Sequence, residues 1–245
     1  MKSSVGPFIA AFTFLTRLPL PGGFIDAEAL ARAPVWFPVV GTIVGGAGGL
    51  TLIVTGRIWP PLIAAVLSLA ATALLTGALH EDGLADAADG FGGGGTREQV
   101  LEIMKDSRIG SYGAVALMLV LTGRIGCLAA MAPLEGARAL IGAHVLARWS
   151  SLPLMGLLPY ARAQGSGKPF AGAVTRPRLL GGTVLAALLV AAALGWRGLT
   201  AVLVAGGVTA IAGWYFRRRL GGITGDCLGA TNQLVELATY LTVLR

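Results

Sequence analysis

Apolar runs, each close to the length that crosses a lipid bilayer, constrain this chain more than any other feature. A spanning helix needs about 20 predominantly apolar residues, and such runs recur at 35–56, 62–79, 112–132, 140–158, 179–196 and 199–216. A further apolar segment at 228–244 contains Asn232 and Glu236 and is read as a seventh span. The first run, 5–15, is too short to cross and reads as an interfacial or re-entrant helix. Composition agrees: the 245 residues are 55% hydrophobic and 13% charged, where a soluble domain carries about 25% charged residues. Too few polar side chains remain to cover a water-facing surface, so lipid must meet the surplus. The expected fold is all-α, a polytopic integral membrane helical bundle of six to seven transmembrane helices plus the short N-terminal helix, in one domain over 1–245.

The net charge of +7 does not point to nucleic acid, because the basic residues sit in connections and at helix ends. With a cytoplasmic N-terminus and seven crossings, one face holds Lys2, Arg17, Arg32, Arg97, Lys105, Arg108, Arg162, Lys168, Arg176, Arg178 and Arg217 to Arg219. The other face keeps only Arg57, Arg138, Arg197 and Arg245. That asymmetry is the positive-inside bias, and it assigns the first set to the cytoplasm. The two long connections, 80–111 and 159–178, fall on that side, which is where material exists to build a site. No cleavable signal peptide is read: Met1 and Lys2 lead into the short apolar stretch, then Arg17 and a break at Pro19, Pro21, Gly22 and Gly23. Cys127 and Cys227 form no CxxC pair, so neither a disulfide framework nor a zinc site is expected.

Most of the twelve acidic residues crowd into the first long connection: Glu81, Asp82, Asp86, Asp89, Glu98, Glu102 and Asp106. Asp82, Asp86 and Asp89 stand at i, i+4 and i+7, which places them on one face of a helix. Like charges at that spacing repel, and a cation offsets the repulsion. Oxygen ligands of this kind suit Mg²⁺, which typically binds through a few carboxylates plus substrate phosphates. An acidic turn between two spans needs no ligand at all, but the neighbours of this stripe argue against so bland a reading. Gly83 and Gly90 flank it and Gly92 to Gly95 follow, and glycine lets backbone amides approach a phosphate. Lys105 and Arg108 come next and supply cations for phosphate oxygens. The combination points to metal-assisted phosphate chemistry.

A second constellation, Gly221-Gly222-Ile223-Thr224-Gly225-Asp226-Cys227-Leu228-Gly229, falls on the same face after Arg217 to Arg219. Asn232 and Glu236 follow one helical turn apart inside an apolar segment, where an ionisable group is a functional candidate by default. Glu236 either serves the site or pairs with Arg124 or Arg148 for assembly. Arg148 either meets a substrate phosphate or satisfies a buried carboxylate. His144 reads as a packing residue, and Arg17 as a juxtamembrane anchor or a residue reaching the site.

Three stretches in order, the run from His80 to Gly90, the run from Met104 to Gly110 and that from Gly222 to Gly229, resemble the cobalamin synthase family, also called adenosylcobinamide-GDP ribazoletransferases. Phe12 to Pro19 and Trp36 to Gly41 are similar to it too, so the resemblance covers nearly the whole chain. It implies an enzyme of the bacterial inner membrane that joins adenosylcobinamide-GDP to α-ribazole, or its 5′-phosphate, and releases GMP with Mg²⁺. On that basis Asp82, Asp86 and Asp89 are expected to hold the metal, and Lys105 and Arg108 to stabilise charge on the phosphoryl oxygens. Asp226 or Asp106 is expected to take the proton or bind a second metal. Gly83, Gly90, Gly225, Asn232 and Glu236 are expected to line the ligand. Membrane lipid is the expected surrounding, and a homo-oligomer is compatible with the sequence.

Three rivals remain to be weighed. A CDP-alcohol phosphotransferase would share the displacement chemistry, but its acidic motif is longer than Asp82-x3-Asp86-x2-Asp89. A cation or metabolite transporter would place carboxylates near the bilayer midplane in repeated halves, and here only Glu236 lies deep. A non-catalytic scaffold would leave the acidic stripe unexplained.

Overall fold

A computed structural model describes residues 5–18, 20, 26–162, 168–170 and 172–245. The first two residues and the expected break at Pro19, Pro21, Gly22 and Gly23 lie outside the described residues. The helices are α1 (Gly6–Leu15), α2 (Ala27–Arg32), α3 (Phe37–Thr55), α4 (Pro61–Thr76), α5 (Leu79–Gly93), α6 (Arg97–Ile103), α7 (Ser111–Ala130), α8 (Pro133–Leu157), α9 (Arg176–Leu194), α10 (Arg197–Leu220) and α11 (Gly225–Val243). Prolines sit in the first turn of α1, α3, α4, α8 and α9, where no backbone N–H is needed and φ is already helical. No strand forms among the described residues, only an isolated parallel bridge between Tyr160 and Ile223.

The chain is the expected polytopic membrane helical bundle. Among the described residues, four helical stretches are long and apolar enough to cross: Ala27–Thr55, α7, α9 and α10. A fifth arises if α4 and α5, bent by 90° at their junction, count as one broken span. The six-to-seven count was read from hydropathy alone, and two features of the helices bear on it. The 62–79 run is interrupted where Gly77 (φ +67°) and Ala78 (φ +54°) both adopt left-handed backbone and turn the chain. The runs at 140–158 and 228–244 lie within α8 and α11, which carry His144, Arg148, Asn232 and Glu236 inward. Outside, Leu74, Leu119, Leu180, Leu203 and Ile211 stand exposed, as suits a lipid-facing surface.

α8 is the axis around which the bundle packs. Gly41, Gly45 and Gly49 form a stripe on α3 that lies against it backbone to backbone. A Cβ at Gly41 would fall 2.4 Å from the His144 carbonyl oxygen, and one at Gly45 2.6 Å from that of Leu140. Small residues that let backbones touch are the means by which helices associate in lipid, where water supplies no drive. α5 and α11 cross in the same way beside α8, and that crossing builds the site.

Candidate active site

The acidic connection at 80–111 opens with a regular helix, as the i, i+4, i+7 spacing requires. α5 lies across α11, and Gly83 and Gly229 meet at the crossing. Their contact brings Asp82 on α5 and Asp226, in the first turn of α11, to one small cavity of about 90 Å³. Thr224 starts α11 by accepting a hydrogen bond from the Cys227 amide, which fixes Asp226 at the helix mouth. Gly83, Gly225 and Asn232 line the same cavity, and Phe14, Leu15 and Phe37 close it from α1 and α3.

The cavity floor is polar and partly unpartnered. His80 and Asn232 are both buried. Asn232 donates from Nδ2 to Ser151 Oγ (3.2 Å) and to the Leu228 carbonyl (2.9 Å). Among the described residues, neither Asn232 Oδ1 nor His80 Nδ1 has a hydrogen-bond partner. Buried polar atoms are normally satisfied, so a ligand with hydrogen-bonding groups fits this floor.

Negative charge dominates the rim. Asp86 feels Asp82, Asp226 and Asp89, with Arg162 as the opposing cation. Arg162 lies in the connection after α8, with Nη2 2.9 Å from Asp226 Oδ2. Asp226 stands ahead of the apolar run of α11; burial pushes its carboxyl up from the ordinary value, while Arg162 and the Thr224 hydroxyl pull it back.

The remaining sequence candidates fall elsewhere. Asp89 is buried, with Oδ2 accepting from the Gly110 amide (2.7 Å) and Oδ1 from the Gly113 amide (2.9 Å). It caps the start of α7 with both oxygens. Gly90 lets α5 pack against the end of α6, since a Cβ there would meet Met104 Cγ at 2.6 Å. Lys105 is exposed, and Arg108 and Asp106 pair with each other at 2.6 Å. Arg108 holds the Asp106 carboxyl down at about 2 through that hydrogen-bonded pair. Arg17 packs on the turn between α4 and α5, its backbone amide donating to the Leu75 carbonyl at 2.8 Å.

Glu236 lies fully buried among Arg124 (2.5 Å), His144 Nδ1 (2.9 Å) and Arg148. Arg124 also reaches Gln233 and Glu81, the latter at 3.5 Å. Two guanidinium groups thus face two carboxylates, which is the assembly pairing weighed from the sequence. His144 belongs to this cluster rather than to simple packing.

Three contributors were missed. Arg162 was counted only as a topogenic charge, and no local pattern in the second long connection marks it. Phe14 and Phe37 were placed only by family likeness, because nothing in an apolar run says which ring roofs a cavity. Among the described residues, no three His, Cys, Asp or Glu side chains converge as they would around a metal ion. With Asp89 engaged by backbone amides, Asp82 and Asp86 remain as the carboxylate pair, one helical turn apart. Two carboxylates completed by substrate phosphates suit Mg²⁺, which seldom takes an all-protein cage.

Residues 7–244 match the family model described as cobalamin-5-phosphate synthase. The chain is similar to the adenosylcobinamide-GDP ribazoletransferase of Leptothrix cholodnii, 44% identical over 246 residues that cover 96% of this chain and 93% of that one. It is similar also to the proteins of that name from Ralstonia nicotianae, 43% identical over 96% and 93% of the two chains, and Chlorobaculum tepidum, 40% identical over 95% and 92%. No solved structure matches it.

Proposed function

The chain belongs to the cobalamin-5-phosphate synthase family, and from that premise we propose that it joins adenosylcobinamide-GDP to α-ribazole, or to its 5′-phosphate, with release of GMP. The product is the corresponding cobalamin or its 5′-phosphate. A ribose hydroxyl of the ribazole other than the 5′ one attacks the phosphorus on the cobinamide side of the diphosphate, since the 5′ oxygen keeps its phosphate in the 5′-phosphate product. The bond from that phosphorus to the bridging oxygen breaks, and the electron pair leaves with GMP.

The observation that carries this reading is the meeting of Asp82 and Asp226, from two distant motifs, at one cavity with an unsatisfied polar floor. Asp82 and Asp86 would hold Mg²⁺, which when bound polarises phosphoryl oxygens and neutralises a departing phosphate. In this reading Asp226 accepts the proton of the attacking hydroxyl, and burial, which makes its carboxyl more basic than usual, supports that role. His80 and Asn232 present hydrogen-bonding atoms that orient a polar ligand. The apolar roof of Phe14 and Phe37 excludes water that would otherwise hydrolyse the diphosphate.

The basic asymmetry of the connections supports a bacterial inner-membrane location with the site on the cytoplasmic face. A reporter fused after Gly94 is then active in the cytoplasm, and a periplasmic signal overturns that orientation. For the reaction, the purified protein is supplied with adenosylcobinamide-GDP, α-ribazole and Mg²⁺. GMP release is expected, and Asp82→Asn and Asp86→Asn each reduce it by about a hundredfold or more. A folded wild-type protein that releases no GMP refutes the activity, and undiminished release by both variants refutes their roles.

A further inference from the structure

We propose that Arg162 grips the substrate diphosphate, releasing Asp226 as the phosphate oxygens arrive. This rests on the transferase reading of the same cavity.

The guanidinium is built into the site. Its side chain is 12% exposed, and Nη2 pairs with Asp226 Oδ2 at 2.9 Å. Among the described residues neither its buried Nε nor Nη2 has a hydrogen-bond partner, so the contact with Asp226 is a close ion pair. The backbone that delivers it is clamped: Ala161 N donates to the Ile223 carbonyl (2.7 Å), and Ile223 N donates to that of Pro159 (2.9 Å). Arg97 locks the clamp from α6, donating to the carbonyls of Leu220 (2.8 Å) and Ala161 (2.9 Å). The segment before α11 and the connection after α8 therefore move as one piece, with Arg162 and Asp226 facing each other across it.

Charge gives the reason for a cation here. A diphosphate diester brings negative charge to a cavity already lined by Asp82 and Asp226, with Asp86 coupled to both. Three other arginines on this side are engaged: Arg97 by two carbonyls, Arg219 by Tyr215 and the Gly94 carbonyl, and Arg108 by Asp106. Arg162 opposes both Asp86 and Asp226. A planar guanidinium matches two phosphate oxygens at once, and among the described residues Nη2 is the one nitrogen paired to a carboxylate. Phosphate and Asp226 compete for the same fork, so binding substrate frees Asp226 beside the reacting phosphorus.

The test uses the full-length protein in detergent with EDTA present and inorganic diphosphate as probe, followed by kinetics with Mg²⁺. Diphosphate is expected to raise the melting temperature of the wild type without metal, and Arg162→Gln to abolish that rise. Asp226→Asn removes the resting partner and keeps the rise. In the assay Arg162→Gln increases KM for adenosylcobinamide-GDP by about tenfold or more. If it fails to fold, Arg162→Lys, which keeps charge but not the fork, is read instead and shows a weakened rise. An absent rise in the wild type overturns the proposal, and so does an equal rise in Arg162→Gln. Loss of the rise in Asp226→Asn also overturns it, because Arg162 would then act only by holding that carboxylate. A wild type that binds diphosphate through Arg162 yet releases no GMP refutes the transferase reading and leaves the phosphate site standing.

Discussion

Gly83 of α5 and Gly229 of α11 meet without side chains between them. A Cβ on Gly83 would lie 3.1 Å from the Gly229 Cα, and one on Gly229 only 3.0 Å from the Gly83 Cα. Both obstructions are backbone, which cannot swing aside as a side-chain tip can. Asp82 adjoins one glycine and Asp226 lies a turn before the other, so this contact sets the distance across the site. Packing and chemistry are coupled at a single point.

Gly229→Ala is therefore expected to cost about 1–3 kcal/mol through overpacking and to depress GMP release beyond what unfolding explains. Gly207 on α10 has nothing within 4 Å of its ideal Cβ. Gly207→Ala should leave the melting temperature unchanged or raise it, through better helix propensity. Thermal unfolding in detergent alongside kcat separates the two. Equal behaviour of both variants would mean that the crossing tolerates a methyl group.

Asp89 offers a sharper contrast with its neighbours on the stripe. Its two oxygens hold the Gly110 and Gly113 amides, so Asp89→Ala should destabilise by about 1–2 kcal/mol, the ordinary cost of losing a helix cap. The magnesium concentration giving half-maximal rate should stay near that of the wild type, whereas Asp86→Asn shifts it strongly. A large shift for Asp89→Ala would return that residue to the metal.

The sequence carried the class of fold and the location of the acidic helix, because hydropathy and i, i+4 spacing are local properties. The span count was less legible. The bend at Gly77 and Ala78 falls inside an apolar run, and α8 and α11 hide their polar residues against each other rather than in a connection. The partners of Glu236 were narrowed to Arg124 and Arg148 by charge alone, but the involvement of both needed the bundle. Arg162 was invisible as a site residue because its placement depends on the bridge between Tyr160 and Ile223, a long-range contact with no periodic signature.

Glu236 is the residue whose loss should harm folding most. It neutralises Arg124 and Arg148 where neither can reach water. Glu236→Gln leaves excess positive charge buried and is expected to cost about 3–5 kcal/mol, seen as a lower yield of folded protein in membranes and a lower melting temperature. Adding Arg148→Met removes one orphaned cation and should recover part of the loss. If the single variant is as stable as the wild type, the buried pairing contributes nothing to assembly.

Arg108 tests whether a cation prominent in sequence acts in the site. Its pair with Asp106 is solvent-exposed, the two side chains 87% and 40% accessible, and Arg108 keeps the Asp106 carboxyl at about 2. The folded value lies below the unfolded one, so whatever the pair contributes is complete above the ordinary carboxylate range and fades as pH falls toward 2. From about pH 5 to 9 both partners stay charged, and the pair adds no inflection to the activity profile. Arg108→Gln should then leave that profile in place and change KM for adenosylcobinamide-GDP by less than about threefold, as expected of an exposed pair. Side-by-side kinetics with Arg162→Gln decide which arginine meets phosphate: a tenfold rise in KM for Arg108→Gln, with Arg162→Gln unaffected, would move the grip to the loop before α7.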